Sequence, residues 1–286
     1  MFYKKIDFER FPRVFNFLKN KIPPLKNVTQ IIGTNGKGST GRFLAQMLMQ
    51  KGANVGHYTS PHIFSFNERF WLNGEDVSDE KLQQSHEILQ EILGEETSNS
   101  LSYFEYATLL MWILFLKCDY CVIEAGMGGE FDATSEFHKK LNLFTPVGLD
   151  HMAILGDSIE KISHTKFIKM AQNAILNDEM NEISVKIAKE IAENKNAKLK
   201  FPAEILTGNE KAEISEYIKK QNLAKFQISN LSLAFAGAKF WGVEPNLKTI
   251  GSLKIHGRME QIAPNIFIDV GHNELAAKQI AGHFAG

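Results

Sequence analysis

The sequence predicts an α/β fold, a mostly parallel sheet with a P-loop, followed by the start of a second Rossmann-like α/β unit. Three observations predict it. A short apolar run ends in a glycine-rich turn and continues as a helix; further apolar runs alternate with helical patterning; and the polar, chemically distinctive loops follow those runs. Alternating strands and helices favour a parallel sheet covered on both faces, with ligand-binding loops gathered at the carboxyl ends of the strands.

Residues 28–33 form a short apolar segment ending in glycine, and residues 40–50 carry Phe43, Leu44, Met47 and Leu48 at helical spacing. Lys51-Gly52 supplies the cation and glycine that stop a helix, and residues 54–58 read as the next strand, completing a βαβ unit. Residues 106–116 predict a largely apolar helix, residues 120–124 a strand before the loop Gly126-Met127-Gly128-Gly129, and residues 141–149 a strand that ends at Asp150-His151. Residues 177–225 are richer in Lys, Glu and Asn, with helical patterning at 185–193 and 210–220 that reads as solvated helices. Residues 229–241 predict an apolar, Ala-rich helix and 245–253 a linker; 257–261 and 266–269 then open the second unit. The expected division is one domain over 1–250 and the beginning of a second domain over 251–286. There is no internal repeat.

Composition excludes more than it selects. Hydrophobic and charged fractions of 44% and 23% are those of an ordinary soluble globular protein. With 32 basic against 33 acidic residues, no global field draws the chain to nucleic acid or an anionic membrane, so any anion site is local. No apolar run reaches the ~18 residues of a spanning helix, and the N-terminus Met1-Phe2-Tyr3-Lys4-Lys5-Ile6-Asp7 lacks a signal core, which makes a cytoplasmic location the expectation. A monomer is expected. Cys118 and Cys121 have C-x-x-C spacing, but they lead into the apolar run Val122-Ile123. That run reads as a buried strand, in which residues three apart face opposite sides and lie about 10 Å apart, too far for a disulfide. Two structural thiols are expected.

The turn Gly33-Thr34-Asn35-Gly36-Lys37-Gly38-Ser39-Thr40 lies between strand and helix, the setting in which a glycine-rich motif binds phosphate. Glycines let backbone N–H groups approach phosphate oxygens, the helix N-terminus adds positive potential, and Lys37 supplies a point charge. Ser39 or Thr40 offers a hydroxyl for Mg²⁺. In the common G-x-x-x-x-G-K-[ST] pattern the hydroxyl follows lysine directly, whereas here Gly38 intervenes.

That variant resembles the Mur ligase superfamily, and specifically its folylpolyglutamate synthase and dihydrofolate synthase branch. Thr59-Ser60-Pro61-His62 is similar to the branch's T-S-P-H segment, with Asn67-Glu68-Arg69 and Asn73-Gly74 after it. The loop from Glu124 through Gly126, Gly128, Gly129 and Asp132 to Thr134 resembles E-x-G-x-G-G-R-x-D-A-T, and Gly148-Leu149-Asp150-His151 resembles G-L-D-H. Asn230, Arg258 and the group Asp269-Val270-Gly271-His272-Asn273 match in order and approximate spacing. The resemblance implies a Mur-ligase-like central domain and an ATP-dependent ligase. Such an enzyme joins L-glutamate to dihydropteroate or folate through an acyl phosphate.

By the same resemblance, residues Asn35 to Thr40 with Asn230, Arg258 and Asp269 hold ATP. Ser60 and Glu124 hold one Mg²⁺ and His151 a second, with a monovalent cation as a further candidate ion. Lys166, fifteen residues after His151, falls where relatives carry a carbamylated lysine. It sits in Thr165-Lys166-Phe167-Ile168 rather than E-K-A-G, and the competing reading is a surface lysine. Phe104 and Glu105, with Asp132, Ala133 and Thr134, fall in pteroate-binding segments, although an aromatic there also reads as core. Glu130 replaces the family's arginine and reverses a charge. Lys37, Glu124, His151 and Lys166 are thus the catalytic candidates. The competing functions are a degenerate nucleotide-binding module and a P-loop kinase or NTPase, neither forming an amide.

Overall fold

A computed structural model describes residues 7–253 and 255–284. Residues 1–6, on which most of the reading of the N-terminus rests, lie outside them.

The chain opens with α1 (Arg10–Leu18), β1 (Val28–Ile32), α2 (Lys37–Met49) and β2 (Val55–Tyr58). The hairpin β3 (Phe70–Leu72) and β4 (Glu75–Asp76) follows. Asn73 and Gly74 join its strands with positive φ at both positions, the geometry that Asn-Gly favours in tight hairpins. Next come α3 (Asp79–Leu93), α4 (Glu95–Ser100), α5 (Tyr103–Leu114), β5 (Tyr120–Glu124) and β6 (Leu141–Phe144). Then α6 (Met152–Leu155), α7 (Ile159–Phe167), β7 (Asn173–Leu176), α8 (Glu182–Asn194) and β8 (Lys198–Lys200) lead to α9 (Pro202–Ile205), α10 (Gly208–Lys220) and α11 (Gln227–Phe240). The chain closes with β9 (Glu260–Ala263), β10 (Ile266–Ile268) and α12 (Glu274–Phe284).

Eight strands make one sheet in the order β4-β3-β2-β5-β1-β6-β7-β8, parallel from β2 to β8 with an antiparallel edge at β3 and β4. β1 lies between β5 and β6, with Ile31 opposite Glu124 on one side and Leu143 on the other. All five residues of β1 are buried, as a central strand covered on both faces requires. One face carries α2, α10 and α11 over a core that includes Phe43, Leu44, Leu231 and Phe235. Over β2 and β5, α1, α3 and α5 pack on the other face around Trp112, Tyr58 and Phe115; α7 and α8 cover Phe144, Leu176 and Ile162 beside them. No described helix is long and apolar enough to cross a membrane.

Several expectations need correction. The strand expected at 141–149 stops at Phe144, because Pro146 has no N–H for a ladder. The segment beyond it turns to the glycine loop instead, where Thr34 N donates to the Pro146 carbonyl at 3.0 Å. Helix α5 starts at Tyr103 rather than 106, fixed by a capping box between Ser102 and Glu105. The helices in 177–225 are half-buried rather than simply solvated: Ile214, Tyr217 and Ile218 of α10 and Ala188, Ile191 and Ala192 of α8 enter the core. Cys118 precedes β5 in a turn whose N–H donates to Phe115, so strand geometry does not separate the two cysteines. The Cys118 side chain reaches Cys121, which together with burial pushes the Cys121 thiol well up. Both are free and buried, as expected.

Candidate active site

The site forms where β1, β5 and β6 end and the glycine turn begins. Gly36 is the N-cap of α2 at φ +85°, and a Cβ there would lie 2.2 Å from Asn230 Oδ1. A Cβ on Gly38 would lie 2.9 Å from Thr59 Oγ1 and 3.3 Å from Glu124 Oε2. Glycine is therefore required twice, once for a left-handed turn and once for close approach. Helix α2 consequently begins at Lys37, three residues before the apolar pattern announces it.

Lys37 reaches back over the turn. Its ammonium donates to the Thr34 carbonyl at 3.0 Å and lies 3.9 Å from Glu124 Oε1. Burial pulls the Lys37 pKa down, and the nearby Glu124 carboxylate opposes the shift. Glu124 is the last residue of β5 and only 2% exposed. Its Oε2 accepts from the Thr59 hydroxyl and, at 3.2 Å, from Ser60 N. A carboxylate at an apolar strand end carries a heavy desolvation cost unless donors or cations surround it, and here both do.

A cavity of about 270 Å³ brings together Asn35, Gly36, Lys37, Gly38, Ser39, Ser60, Glu124, His151, Asn230, Arg258 and Asp269. Residues expected from sequence separations of more than two hundred positions thus share one wall system. Ser39 Oγ accepts from Gln227 Nε2 at 3.2 Å, and Gln227 Oε1 accepts from Asn230 Nδ2 at 2.8 Å, which fixes that wall. Thr40 sits one residue further round α2, turned inward, its hydroxyl buried without a hydrogen-bond partner. Of the two hydroxyls expected for a metal, Ser39 is therefore the one facing the cavity. On the opposite side, Asp269 accepts from Met259 N at 2.8 Å and Gly271 N at 2.6 Å, holding the segment that carries Arg258. Asn35 and Asn273 face each other at 3.0 Å, tying this segment to the glycine turn.

His151 does not directly follow a strand. It lies seven residues beyond β6, in a left-handed conformation at φ +48°, and burial lowers its pKa. Asp150 accepts from His151 N at 2.8 Å and from Asn273 Nδ2 at 3.0 Å. In the sequence Asp150, His272 and Thr59 stand inside motifs with no role of their own, and nothing local marks Gln227.

Lys166 is not a surface lysine. It is 3% exposed and donates to the Gly33 carbonyl at 2.8 Å. Burial, reinforced by the Lys37 charge, brings its pKa down to about 7. It lies behind the turn rather than in the cavity wall.

The remaining candidates form a second layer. Asp132 accepts from Met127 N and Thr134 N, both at 2.9 Å, and burial raises its pKa. Thr134 in turn accepts from Gln30 Nε2 at 2.8 Å, and Ala133 is buried. Phe104 lies in the first turn of α5, not before it. Its ring packs against Gly126, where a Cβ would meet it at 2.6 Å, with its centroid 6.0 Å from that of Tyr58. Glu105 caps α5 and pairs with Arg10 at 2.6 Å. Glu130 is joined to the same wall through its backbone, which donates to the Thr165 carbonyl at 2.9 Å.

No family model matches the chain. Among curated relatives it is 33% identical over 263 residues to a dihydrofolate synthase/folylpolyglutamate synthase of Buchnera aphidicola subsp. Schizaphis graminum, with 86% of this chain and 61% of that protein aligned. It is 30% identical over 287 residues to the protein of the same description from Buchnera aphidicola subsp. Acyrthosiphon pisum, covering 93% of this chain and 69% of that one. In structure it matches the folylpolyglutamate synthetase of Helicobacter pylori with a TM-score of 0.83 and 38% identity, over 99% of this chain and 73% of that one. The chain thus spans about three fifths of the first relative's length.

Proposed function

The chain belongs to the folylpolyglutamate synthase and dihydrofolate synthase family, and on that premise we propose that it uses ATP to join L-glutamate to a pteroate or folate carboxylate. The observation that carries this reading is Glu124, a buried carboxylate facing Lys37 across a glycine turn. Phosphoryl transfer to a carboxylate brings two anions together, and such a centre needs fixed donors and cations more than a covalent catalyst.

The arrangement suits ATP. Gly36 and Gly38 leave space for phosphate oxygens against the α2 N-terminus, and Lys37 is aimed at them. Asn230, Arg258 and Asp269 line the far wall. The donor set also fits Mg²⁺: Glu124 Oε1 and the Ser60 and Ser39 hydroxyls are hard oxygens facing one cavity, with His151 at its edge. Bound there, Mg²⁺ would neutralise charge on the triphosphate. A monovalent cation remains a further candidate ion in this reading. Lys37 and Arg258 hold the transferred phosphoryl group in line while the substrate carboxylate oxygen bonds to its phosphorus and ADP departs. The glutamate amine then bonds to the acyl carbon, phosphate leaves, and the amine gives up a proton.

Lys166 belongs to this reading as a carbamylated lysine. A pKa of about 7 supports it, because only the neutral amine adds CO₂. Phe104 and the Asp132 to Thr134 turn support a pteroate pocket beside the cavity; Glu105 contributes by holding α5 to Arg10. The reading assigns 1–250 to the nucleotide-binding domain and 251–286 to the beginning of a second one. It makes the chain a cytoplasmic monomer whose partners are small molecules, not nucleic acid or membrane.

The test is incubation of the chain with ATP, Mg²⁺, labelled glutamate and either dihydropteroate or tetrahydrofolate. An amide-linked product is expected, and the acceptor that yields it separates dihydrofolate synthase from folylpolyglutamate synthase activity. ATP hydrolysis without amide would indicate an NTPase, and nucleotide binding without turnover a degenerate module.

A further inference from the structure

Asn67, Glu68 and Arg69 do not line the nucleotide cavity, yet all three side chains bind down the loop that follows Ser60. The Glu68 carboxylate accepts from three successive backbone groups: Ile63 N at 2.8 Å, Phe64 N at 2.8 Å and Ser65 N at 2.7 Å. Hydrogen bonds to an ionised acceptor are the strong ones, and three in a row fix the path of the loop. Arg69 Nε donates to His62 Nδ1 at 2.8 Å, and the Arg69 carbonyl accepts from Thr59 N at 3.0 Å. Asn67 Nδ2 donates to the Val77 carbonyl and to Asp79 Oδ1, both at 2.8 Å, which ties the turn to the start of α3.

The segment that carries Arg258 rests on this loop. The Phe64 ring meets the His256 ring edge-on, with centroids 4.9 Å apart. A Cβ on Gly257 would lie 3.3 Å from Ile63 Cδ1, so the backbone at 257 lies directly against Ile63. Phe64 is 69% exposed, and core packing does not account for its place. From this seat Arg258 reaches the nucleotide cavity, where its Nη2 stands 3.6 Å from the position a Cβ on Gly38 would take. Among the described residues its guanidinium donates only to the neighbouring Gly257 carbonyl, at 3.3 Å. The aim of Arg258 is therefore set by the backbone of residues 256–258 rather than by a partner of its own.

We infer that Glu68 is a positioning residue for the nucleotide site: it fixes the loop at 63–65, the loop seats His256 and Gly257, and that seat aims Arg258 over the glycine turn. Asp269 fixes the residue after Arg258 through Met259 N, and the loop fixes the residues before it. Aim matters because displacing a binding group by an ångström costs as much as about 100-fold. The inference rests on the reading that Arg258 meets the nucleotide, and not on the amide-forming step. The Phe64 and Ser65 amides lie at exposed positions, so water replaces the carboxylate there when Glu68 is removed. The loop then loosens while the sheet behind it stays folded.

The test is isothermal titration of the chain with Mg²⁺ and a non-hydrolysable ATP analogue, for variants taken singly and in pairs. Arg258→Ala should weaken binding by about 10- to 100-fold, the range for losing a hydrogen bond to a charged group. Glu68→Ala should lose on the order of 10-fold, a share of that same contribution. In the Arg258→Ala background, Glu68→Ala should cost nothing further, because a residue that acts through Arg258 then has nothing left to aim. Phe64→Ala should repeat the Glu68→Ala loss with unaltered thermal melting, since the position is exposed. Phe64→Tyr, which keeps the ring, should retain wild-type affinity. Wild-type affinity in Glu68→Ala or in Phe64→Ala would overturn the inference. Single losses that multiply in the Glu68→Ala, Arg258→Ala pair would also overturn it, as the mark of independent damage. Wild-type affinity in Arg258→Ala would overturn it together with the placement of Arg258 at the phosphates. Absence of amide product in the glutamate assay would instead count against the ligase reading alone.

Discussion

Lys166 offers a quantitative handle on the site. Its pKa is about 7 in the folded chain against an ordinary 10.5, chiefly because burial disfavours the charged form. That gap of roughly 3.5 pH units corresponds to roughly 5 kcal/mol, at about 1.36 kcal/mol per unit. Below pH 7 both folded and unfolded chains carry the proton, and the folded state bears the whole desolvation cost. Between about 7 and 10.5 the unfolded chain binds the proton and the folded chain does not, so stability rises with pH through that window. Lys166→Met removes the titration. It also removes the hydrogen bond to Gly33, but that loss shifts the curve without tilting it. The assay is urea unfolding of both proteins in CO₂-free buffer from pH ~7.5 to ~9. Wild type should gain about 2 kcal/mol relative to Lys166→Met across that interval. Parallel pH profiles would refute the reasoning and return Lys166 to an ordinary protonated lysine.

Lys37→Ala should weaken Mg·ATP binding by about 10- to 100-fold, the range for losing a hydrogen bond to a charged group, as read by isothermal titration. Gly36→Ala should destabilise the chain by about 2 kcal/mol through its left-handed backbone and the contact with Asn230. In the double-mutant cycle with Asn230→Ala, part of that loss should be recovered if the contact matters. Cys118 and Cys121 should react with a thiol reagent on the order of 100-fold more slowly in the native chain than in urea, because both are buried; equal rates would show the turn before β5 to be open.

The strands were legible where every residue is apolar and a stop follows. β1 and β5 fall within a residue of expectation, because burial on both faces leaves a continuous apolar run. α2 was shortened by reading only its apolar stripe, since its first turn is written in glycine, serine and lysine for phosphate rather than for packing. β6 was lengthened for the opposite reason: its apolar run continues past Phe144 into a segment that lies against the glycine turn without pairing in the sheet. Neither β7 nor β8 was anticipated, because each is four residues or fewer and set among helices of similar composition.

The site itself was legible in its motifs and not in its partners. The glycine loop and Glu124 announce themselves by type and position, Arg258 only through the family resemblance, and the fold brings all three to one cavity. Lys166 could not be recognised as buried from Thr165-Lys166-Phe167, because the Gly33 carbonyl that its ammonium meets lies 133 positions away. Glu105 carried a capping signal with Ser102 that was readable locally, and its pairing with Arg10 was not. Asp150 and His272 meet only when the segment before α12 is laid against the loop after β6.

The most direct measurement is a crystal structure of the chain with Mn²⁺ in place of Mg²⁺ and a non-hydrolysable ATP analogue, the metal located by its anomalous scattering. The phosphates are expected along the backbone amides of residues 33–38, the terminal one between Lys37 and Glu124, with a metal on the Glu124 carboxylate. Nucleotide bound elsewhere, with Glu124 and His151 remote from its terminal phosphate, would contradict the account.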